Sequence, residues 1–356
     1  MDDFLIIGGG IAGLSAGARL AALGTVTLLE AEDALAYHAS GRSAALYEAE
    51  YGRPSTVALA RASRDEFMST PGLLSPRGLM FVAAPGEEAA LAADLAEIDL
   101  APISPAEAQA LVPVLDPARI AGAGYHEASW DIDTDLMLQA YARSLRAHGR
   151  IVTRARVSAI ARTGTGWAVT AGAETYEARQ IVNAAGAWAD EIAALAGLPP
   201  IGLTPKRRSI ARVAAPEGHD PARWPMTIGA GETWYMKPDA GALLISPAEE
   251  DPTTPHDAWA DDMVLAEGIA RWEAVVTTPV DRMIANWAGL RTFAPDGNLV
   301  LGPDKRDASF IWSAGQGGYG FLSAPAASQL VADRVAGRKS PLDAETLNAT
   351  DPVRFA

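Results

Sequence analysis

Three glycines near the start of the chain have the spacing of a phosphate-binding turn. Gly8, Gly10 and Gly13 form the pattern G-x-G-x-x-G, with Ile11 and Ala12 between the last two glycines. The first glycine permits a tight turn, the second lets the backbone approach a pyrophosphate, and the third lets a helix pack closely on a strand. A helix that begins here presents free N–H groups and a partial positive charge to phosphates. The motif therefore predicts a dinucleotide-binding turn.

The residues around these glycines predict a β-α-β unit. We expect apolar strands over 3–7 and 25–29, and between them an alanine-rich helix over 11–23 that Gly24 closes as a C-cap. Glu30 ends the second strand, about 20 residues after the motif, where a carboxylate accepts hydrogen bonds from ribose hydroxyls. An acid at this position disfavours a 2′-phosphate, so NADP is not expected.

Three further segments have small and hydrogen-bonding residues, as a loop wrapped along a ligand would. They are YHASGRSAA at 37–45, NAAGAW at 183–188 and QGGYG at 316–320, which opens a helix predicted over 321–335. A second helix N-terminus aimed at the ligand would stabilise the negative charge near N1 of a reduced flavin, which NAD does not need. These segments favour FAD, while an ordinary polar loop at 37–45 and an NAD-linked dehydrogenase stay open as alternatives.

Two arginines and a tyrosine are candidates for binding a carboxylate. Arginine offers a bidentate fork and tyrosine adds one O–H donor. Arg291 lies in a neutral, apolar stretch, where a lone cation needs a partner. Arg208 ends the basic run 206–208, which is equally typical of a solvated surface, and Tyr235 lies in a hairpin predicted over 233–246.

Composition limits the class of protein. A length of 356 residues suggests about two domains, and 44 acidic against 29 basic residues give a net charge of −15, which disfavours nucleic acid as a partner. The chain has no cysteine, so disulfides, thiolate metal sites and cysteine-tethered cofactors are excluded, and its five histidines show no metal-binding spacing. We expect no secretory signal, no transmembrane segment and a cytoplasmic location.

The motifs together resemble the D-amino acid oxidase-like family of FAD-dependent oxidoreductases, and within it the FAD-dependent D-arginine dehydrogenases. The matching segments include GGGIAGLSAGARL, YHASGRSAA, VNAAGAW and WAGLRTFAPDG followed by GQGGYG, so the likeness covers nearly the whole chain. It implies an α/β (α+β) fold in which a Rossmann-type domain that binds FAD non-covalently carries an inserted, mixed-sheet substrate domain. The implied FAD-binding domain comprises 1–74, 132–204 and 284–356, and the substrate-binding domain 75–131 and 205–283.

The motifs and the resemblance also assign residues to the two ligands. Arg208, Tyr235 and Arg291 fall where such enzymes hold the substrate carboxylate, and Tyr51 falls where an aromatic packs against the substrate side chain. Some related flavoproteins attach FAD through a histidine near His38, but a hydrogen-bonding role is expected here. The residues expected to contact FAD are Gly8, Gly10, Ile11, Ala12, Gly13, Glu30, Ala31, Ser40, Gly41, Arg42, Ser43, Ala44, Ala45, Val157, Ala185, Gly186, Trp188, Gly317, Gly318, Tyr319 and Gly320.

Two departures from the family pattern bear on the substrate. The acid that would grip a guanidinium falls on Leu79, and a loop histidine and a small hydroxyl residue fall on Leu46 and Glu48. A buried guanidinium beside leucine would be unpaired, so arginine is not the expected substrate. Glu48 is the residue that could replace the missing acid, with Glu50 a weaker candidate and two solvated loop carboxylates as the alternative.

The sequence thus predicts oxidative deamination of a D-amino acid by hydride transfer from Cα to flavin N5, with uncharged side chains favoured. Oxidation of a secondary amine or a 2-hydroxy acid on the same fold is an alternative, and so is an FAD-binding protein without turnover, such as a subunit of a larger complex. The expected partners are a small-molecule amino acid substrate and an electron acceptor, which is oxygen, a quinone or an electron-transfer protein. A monomer or weak oligomer is expected.

Overall fold

The structure is a computed structural model that describes residues 1–355, and its strands form sheets of eight, nine and three strands. The strands are β1 (Asp2–Ile7), β2 (Val26–Leu29), β3 (Leu46–Tyr47), β4 (Leu74–Pro76), β5 (Leu79–Ala83), β6 (Ala101–Ile103), β7 (Gly122–His126), β8 (Trp130–Ile132), β9 (Gly149–Val152), β10 (Val157–Arg162), β11 (Trp167–Ala171), β12 (Glu174–Asn183), β13 (Thr204–Ala214), β14 (Met226–Gly229), β15 (Tyr235–Asp239), β16 (Ala242–Ser246), β17 (Asp251–Pro252), β18 (Met283–Phe293), β19 (Val300–Pro303) and β20 (Phe310–Ala314). The α-helices are α1 (Ile11–Leu20), α2 (Pro54–Ser69), α3 (Glu88–Ile98), α4 (Pro105–Leu111), α5 (Thr134–His148), α6 (Ala189–Leu195), α7 (Asp262–Glu273), α8 (Gly320–Val335) and α9 (Ala344–Thr350).

The eight-stranded sheet contains the predicted β-α-β unit. β1 lies between β2 and β12 and is parallel to both, and β9 extends the sheet beyond β2. The second half of β12 pairs in parallel with β20, whereas its first half belongs to an antiparallel meander with β10 and β11. Every residue of β2 is buried, as expected for a parallel strand covered on both faces. The carboxyl ends of β1 and β2 therefore place Gly8 and Glu30 at the same edge of this sheet.

The prediction that Gly24 caps the first helix is wrong. The helix α1 ends at Leu20 with Ala21 as its C-cap, and residues 21–23 form a turn. Gly24 instead permits a close approach, because a Cβ on it would lie 2.6 Å from a carboxylate oxygen of Asp3. That oxygen accepts a hydrogen bond from the N–H of Thr25, which fixes the start of β2 against β1.

The nine-stranded sheet is mixed and carries the predicted substrate-binding residues. Its strand order is β17-β13-β16-β15-β14-β5-β7-β6, with β18 on the other side of β13. β14 and β5 are parallel, and the predicted hairpin is present as the antiparallel pair β15–β16. The long antiparallel pair β13–β18 places Lys206 opposite Arg291 and Arg208 opposite Gly289. Opposed residues share a face of a sheet, and so do residues two apart on one strand. Arg291 therefore projects from the same side as Lys206 and Arg208.

Separate apolar clusters lie against the two larger sheets. One buried cluster packs α1, α5 and α8 on the eight-stranded sheet, and another packs α4 and α7 on the nine-stranded sheet. The division into two domains at the predicted bounds stays a prediction. Within residues 1–355, no helix is both long and apolar enough to cross a lipid bilayer.

The close packing at Gly13 gives a test of the glycine-rich turn. A Cβ on Gly13 would lie 1.9 Å from the backbone oxygen of Gly8, so Gly13→Ala must push the helix from the strand. We expect this overpacking to lower the free energy of unfolding of the cofactor-free protein by about 1–3 kcal/mol or more, measured in urea. Gly164→Ala is the control, because no heavy atom lies within 4 Å of its Cβ position. Equal unfolding midpoints for the two variants would contradict the packing role.

Candidate active site

Two adjoining cavities lie against the nine-stranded sheet, and residues of the eight-stranded sheet also line the first of them. The first, of about 430 Å³, runs from the glycine-rich turn to β13 and β18, and the second, of about 80 Å³, lies beyond it toward β5 and β14. The wall between them is formed by residues that line both, namely Ser43, Ala44, Arg208, Tyr235, Arg291 and Gly318. The predicted carboxylate-binding residues therefore meet at the junction of the two cavities.

Most of the residues predicted to contact FAD line the first cavity. Four do not: Gly13 packs the helix on the turn, Gly41 allows a close approach to the Ala36 backbone, Ala45 lines only the second cavity, and Tyr319 lines neither. Those on the wall of the first cavity are Gly8, Gly10, Ile11, Ala12, Glu30, Ala31, Ser40, Arg42, Ser43, Ala44, Val157, Ala185, Gly186, Trp188, Gly317, Gly318 and Gly320.

Glu30 is fixed at the end of β2 by two backbone N–H groups. One oxygen of its carboxylate accepts from the N–H of Gly9 at 2.6 Å, and the other accepts from the N–H of Glu32 at 2.9 Å. The carboxylate is buried yet lies on the cavity wall. Each carboxylate oxygen can accept a further hydrogen bond, which is the arrangement that a pair of ribose hydroxyls requires.

The 3₁₀ turn Ala39–Arg42 is tied to the nine-stranded sheet through its arginine. The guanidinium of Arg42 donates to the backbone oxygens of Ala258 and Ala288 at 2.8 and 2.9 Å and pairs with Asp257. Arg42 thus lines the first cavity, but its charged group is already bound by protein.

His38 has the hydrogen-bonding surroundings that the sequence analysis expected. Its Nε2 lies 3.1 Å from a carboxylate oxygen of Glu32, and its ring packs on Trp188 with centroids 4.6 Å apart. Both contacts hold the imidazole against the cavity wall, where it can pack along a ligand.

The two arginines at the cavity junction differ in their partners. Arg208 is 7% exposed, and its guanidinium donates to the backbone oxygen of Glu249 at 2.8 Å and to the carboxylate of Glu250 at 3.2 Å. Burial lowers the pKa of Arg208, and the nearby charge of Arg291 lowers it further. The guanidinium of Arg291 has no hydrogen bond or ion pair to any residue between 1 and 355, although both cavities reach it. A cation with no protein partner, open to a cavity, is a binding group for an anion.

The second cavity holds an acid that the sequence analysis missed. Glu232 lies in the turn before β15 and accepts a hydrogen bond from the hydroxyl of Tyr51 at 3.0 Å. Burial raises the pKa of the Glu232 carboxyl, although Tyr51 and the charges of Arg208 and Arg291 oppose the shift. Burial also raises the pKa of Tyr51, so its hydroxyl keeps its proton and donates.

The sequence analysis also placed several residues around the substrate side chain, and most of these line the second cavity. Leu79 lies on its wall with other apolar side chains, and Tyr51 lines it as well. Glu48 is 3% exposed and lines the cavity too, but its carboxylate is engaged by His126 at 2.8 Å and by the hydroxyl of Ser129. Glu50 pairs with Arg61 on the surface. Neither carboxylate is therefore free to replace the acid missing at position 79.

A glycine-rich turn that opens a helix, a carboxylate at the end of the second strand and an adjoining anion-binding cavity define a dinucleotide-dependent oxidoreductase. The family model of the FAD dependent oxidoreductases (DAO) matches residues 3–334, and the chain belongs to that family. Its cofactor is FAD.

Curated relatives match with modest identity. Glycine oxidase from Geobacillus kaustophilus is 25% identical over 250 residues, which cover 68% of this chain and 64% of the relative. The tRNA 5-methylaminomethyl-2-thiouridine biosynthesis bifunctional protein MnmC from Pseudomonas aeruginosa is 27% identical over an alignment that covers 99% of this chain and 59% of the relative. The chain thus spans less than two thirds of the length of these relatives.

Solved structures confirm the predicted fold class. The structure of glycine oxidase from Geobacillus kaustophilus superposes with a TM-score of 0.80 at 24% identity and covers 96% of each chain. L-proline dehydrogenase from P. horikoshii superposes with a TM-score of 0.85 at 22% identity, covering 99% of this chain and 97% of the other. The family prediction is confirmed, whereas the finer resemblance to D-arginine dehydrogenases is not, since these neighbours are glycine oxidase, L-proline dehydrogenase and MnmC.

The first cavity fits FAD in chemistry as well as in extent. Glu30 offers acceptors for ribose hydroxyls, the start of α1 offers donors for the pyrophosphate, and the start of α8 lies at the far end beside Gly318. Gly186 has a φ of 54° and nothing within 4 Å of its Cβ position, so a ligand can approach the backbone there.

The expectation that FAD is bound non-covalently predicts in which fraction the flavin is found after denaturation. When the yellow holoprotein is precipitated with acid, we expect FAD in the supernatant, measured by absorbance, because no cysteine is present and His38 already pairs with Glu32. His38→Ala should behave in the same way. Colour retained in the pellet of the parent protein but released by His38→Ala would instead indicate a covalent link at that histidine.

Proposed function

We propose that this protein uses FAD to oxidise the α-carbon of a small amino acid with an uncharged side chain. The observation that carries the proposal is the unpartnered guanidinium of Arg291 at the junction of the two cavities. A substrate carboxylate would supply the missing anion, and Tyr235 and Arg208 lie on the same wall to add donors.

The residues of the chain then act mainly by binding and orienting. A carboxylate gripped by Arg291 and Tyr235 fixes the adjacent α-carbon at the junction, so its hydrogen faces the first cavity and its side chain the second. Bound FAD supplies the acceptor for the hydride that leaves this carbon. Arg208 is held in place by Glu249 and Glu250, so its remaining N–H groups stay aimed at the junction.

The second cavity supports a short, uncharged side chain. Its volume of about 80 Å³ is small, and its wall is largely apolar, with Leu46, Leu79, Met226 and Ile228 among the lining residues. The one acid with an available oxygen, Glu232, is hydrogen-bonded by Tyr51 and has a pKa raised by burial, both of which reduce its strength as a partner for a cation. The D configuration of the substrate rests on the family resemblance described above.

Oxidation of a small secondary amine is the second candidate. It is supported by the limited volume beyond the junction, which suits a substrate without a long side chain. It is supported also by relatives and neighbours named glycine oxidase, L-proline dehydrogenase and iminodiacetate oxidase. An anaerobic comparison of D-alanine, L-alanine, glycine, N-methylglycine, L-proline and lactate, following flavin bleaching, distinguishes the candidates. A flavin that none of these bleaches would argue against both.

Arg291→Met tests the carboxylate anchor. Truncating a buried charged hydrogen-bonding partner costs about 2–5 kcal/mol, so we expect KM to rise at least about 30-fold in steady-state assays while FAD stays bound. Arg212→Met is the control, because Arg212 lies on the same strand as Arg208 but pairs with Asp239 at the partly exposed end of the hairpin. An unchanged KM in flavin-loaded Arg291→Met would remove this arginine from the site.

A substrate series tests the side-chain preference. We expect catalytic efficiency to be at least about 100-fold higher for D-alanine than for D-arginine, since a guanidinium beside Leu79 would be buried without a full partner at a cost of several kcal/mol. Leu79→Glu should narrow the ratio of D-alanine to D-arginine efficiency. Glu232→Gln should not change the catalytic efficiency for neutral substrates. A parent protein that prefers D-arginine would contradict the proposal, and loss of that preference in Glu232→Gln but not in Glu48→Gln would identify the acid responsible.

A further inference from the structure

The chain between the 3₁₀ turn and β3 has almost no hydrogen bonds of its own. Ser43, Ala44 and Ala45 belong to no helix or strand, yet this segment lines both cavities. In the part of the chain that the structure describes, the backbone of these three residues receives a single hydrogen bond, donated by the ammonium of Lys237 to the oxygen of Ala45 at 2.9 Å. The segment at the cavity junction is thus fixed by one distant side chain.

Lys237 is an unusual residue for this task because it is buried. It is 8% exposed and lies on β15 two positions after Tyr235, so both side chains project from the same face of the strand. Burial lowers the pKa of Lys237, and the charge of Asp131 opposes that shift. A buried ammonium is retained only where its partners compensate for the loss of water.

The compensating partners, Asp131 and Arg77, are partly buried and form an ionic cluster with Lys237. The ammonium lies 2.9 Å from Oδ1 of Asp131 in an ion pair whose geometry is not that of a hydrogen bond. The other oxygen of Asp131 accepts from Nε of Arg77 at 2.7 Å. Arg77 in turn donates to the backbone oxygens of Ala222 and Trp224 at 2.9 and 2.8 Å. Asp131 also pairs with Leu46 across β3 and β8, directly after the unsupported segment.

We infer that Lys237 is a positioning residue, whose ammonium, held by the Asp131–Arg77 pair, fixes the carbonyl of Ala45 and so the Ser43–Ala45 segment against both ligands. It touches neither cavity wall itself and acts through the backbone that does. The nine-stranded sheet thereby holds this stretch of chain at two points, through Lys237 at Ala45 and through the Ala288 acceptor of Arg42 in the preceding turn. The kinetic part of this inference rests on the proposed function, whereas the structural part does not.

The experiment compares the holoprotein of Lys237→Met with the parent. The substitution leaves Asp131 paired with Arg77, so no buried charge loses its last partner. By hydrogen exchange and mass spectrometry we expect the amides of Leu46 and Tyr47, which pair with β8 directly after the segment, to exchange at least tenfold faster, with core peptides of β1 and β12 unchanged. Lys305→Met, at an exposed lysine, is the control and should exchange as the parent does. Unchanged exchange at Leu46 and Tyr47 would overturn the inference.

The kinetic readout separates positioning from general damage. With the amino acid that bleaches the parent flavin, we expect kcat to fall at least tenfold while KM changes less than threefold, because the Arg291 anchor lies on another strand. Faster exchange with kcat within twofold of the parent would overturn the positioning role.

A second variant is needed if Lys237→Met does not fold. Asp131→Asn must then show the same exchange and kcat pattern, and an Asp131→Asn protein that matches the parent would overturn the positioning role. If no substrate bleaches the parent, the proposed function fails while the exchange result still decides the role of Lys237.

Discussion

A partly buried positive charge without a protein partner is the constraint around which the site is arranged. Removing a charge from water is costly, and the two buried cations between residues 1 and 355, Arg208 and Lys237, are both paired with carboxylates. Arg291 differs because the cavities bring solvent or a ligand to it, and the antiparallel β13–β18 pair holds it rigidly in place. The protein thus maintains an anion-binding site without an anion from its own side chains. A substrate carboxylate that binds there forms the ion pair that Arg291 lacks within the protein.

The two arginines consequently have different uses. Glu250 accepts from both Arg208 and Lys206, so one carboxylate partly neutralises two cations. Arg208 is left with fewer free N–H donors, and its guanidinium has a fixed direction. It is therefore better suited to orienting a bound carboxylate than to attracting one from solvent. The charge that attracts a substrate is concentrated at Arg291, two positions along the opposing strand.

Local patterns were enough to predict the parts of the site that depend on neighbouring residues. The glycine spacing, Glu30 and the β15–β16 hairpin follow from turn geometry and strand periodicity, so they could be located without a structure. Glu232 could not, because it enters the pocket from a turn with left-handed backbone (φ 55°) and meets Tyr51, which is distant in sequence. Glu48 was expected near the pocket, but its pairing with His126 depends on the register of β5 and β7, which no short pattern encodes. Gly24 resembled a helix cap because the crowding by Asp3 that requires it comes from another strand.

The pairing of β12 with β20 has a consequence for the order in which the protein is made. Ile181 lies opposite Phe310, so β12 lacks one of its neighbours in the central sheet until β20 has been synthesised. Arg42 likewise finds its acceptors at Ala258 and Ala288 only late in translation. While it emerges from the ribosome, the nascent chain therefore carries an open sheet edge and an unfinished nucleotide pocket. The pocket therefore cannot close around FAD until the residues from Phe310 to Gly320 have been made, and FAD that binds the completed pocket stabilises the folded protein.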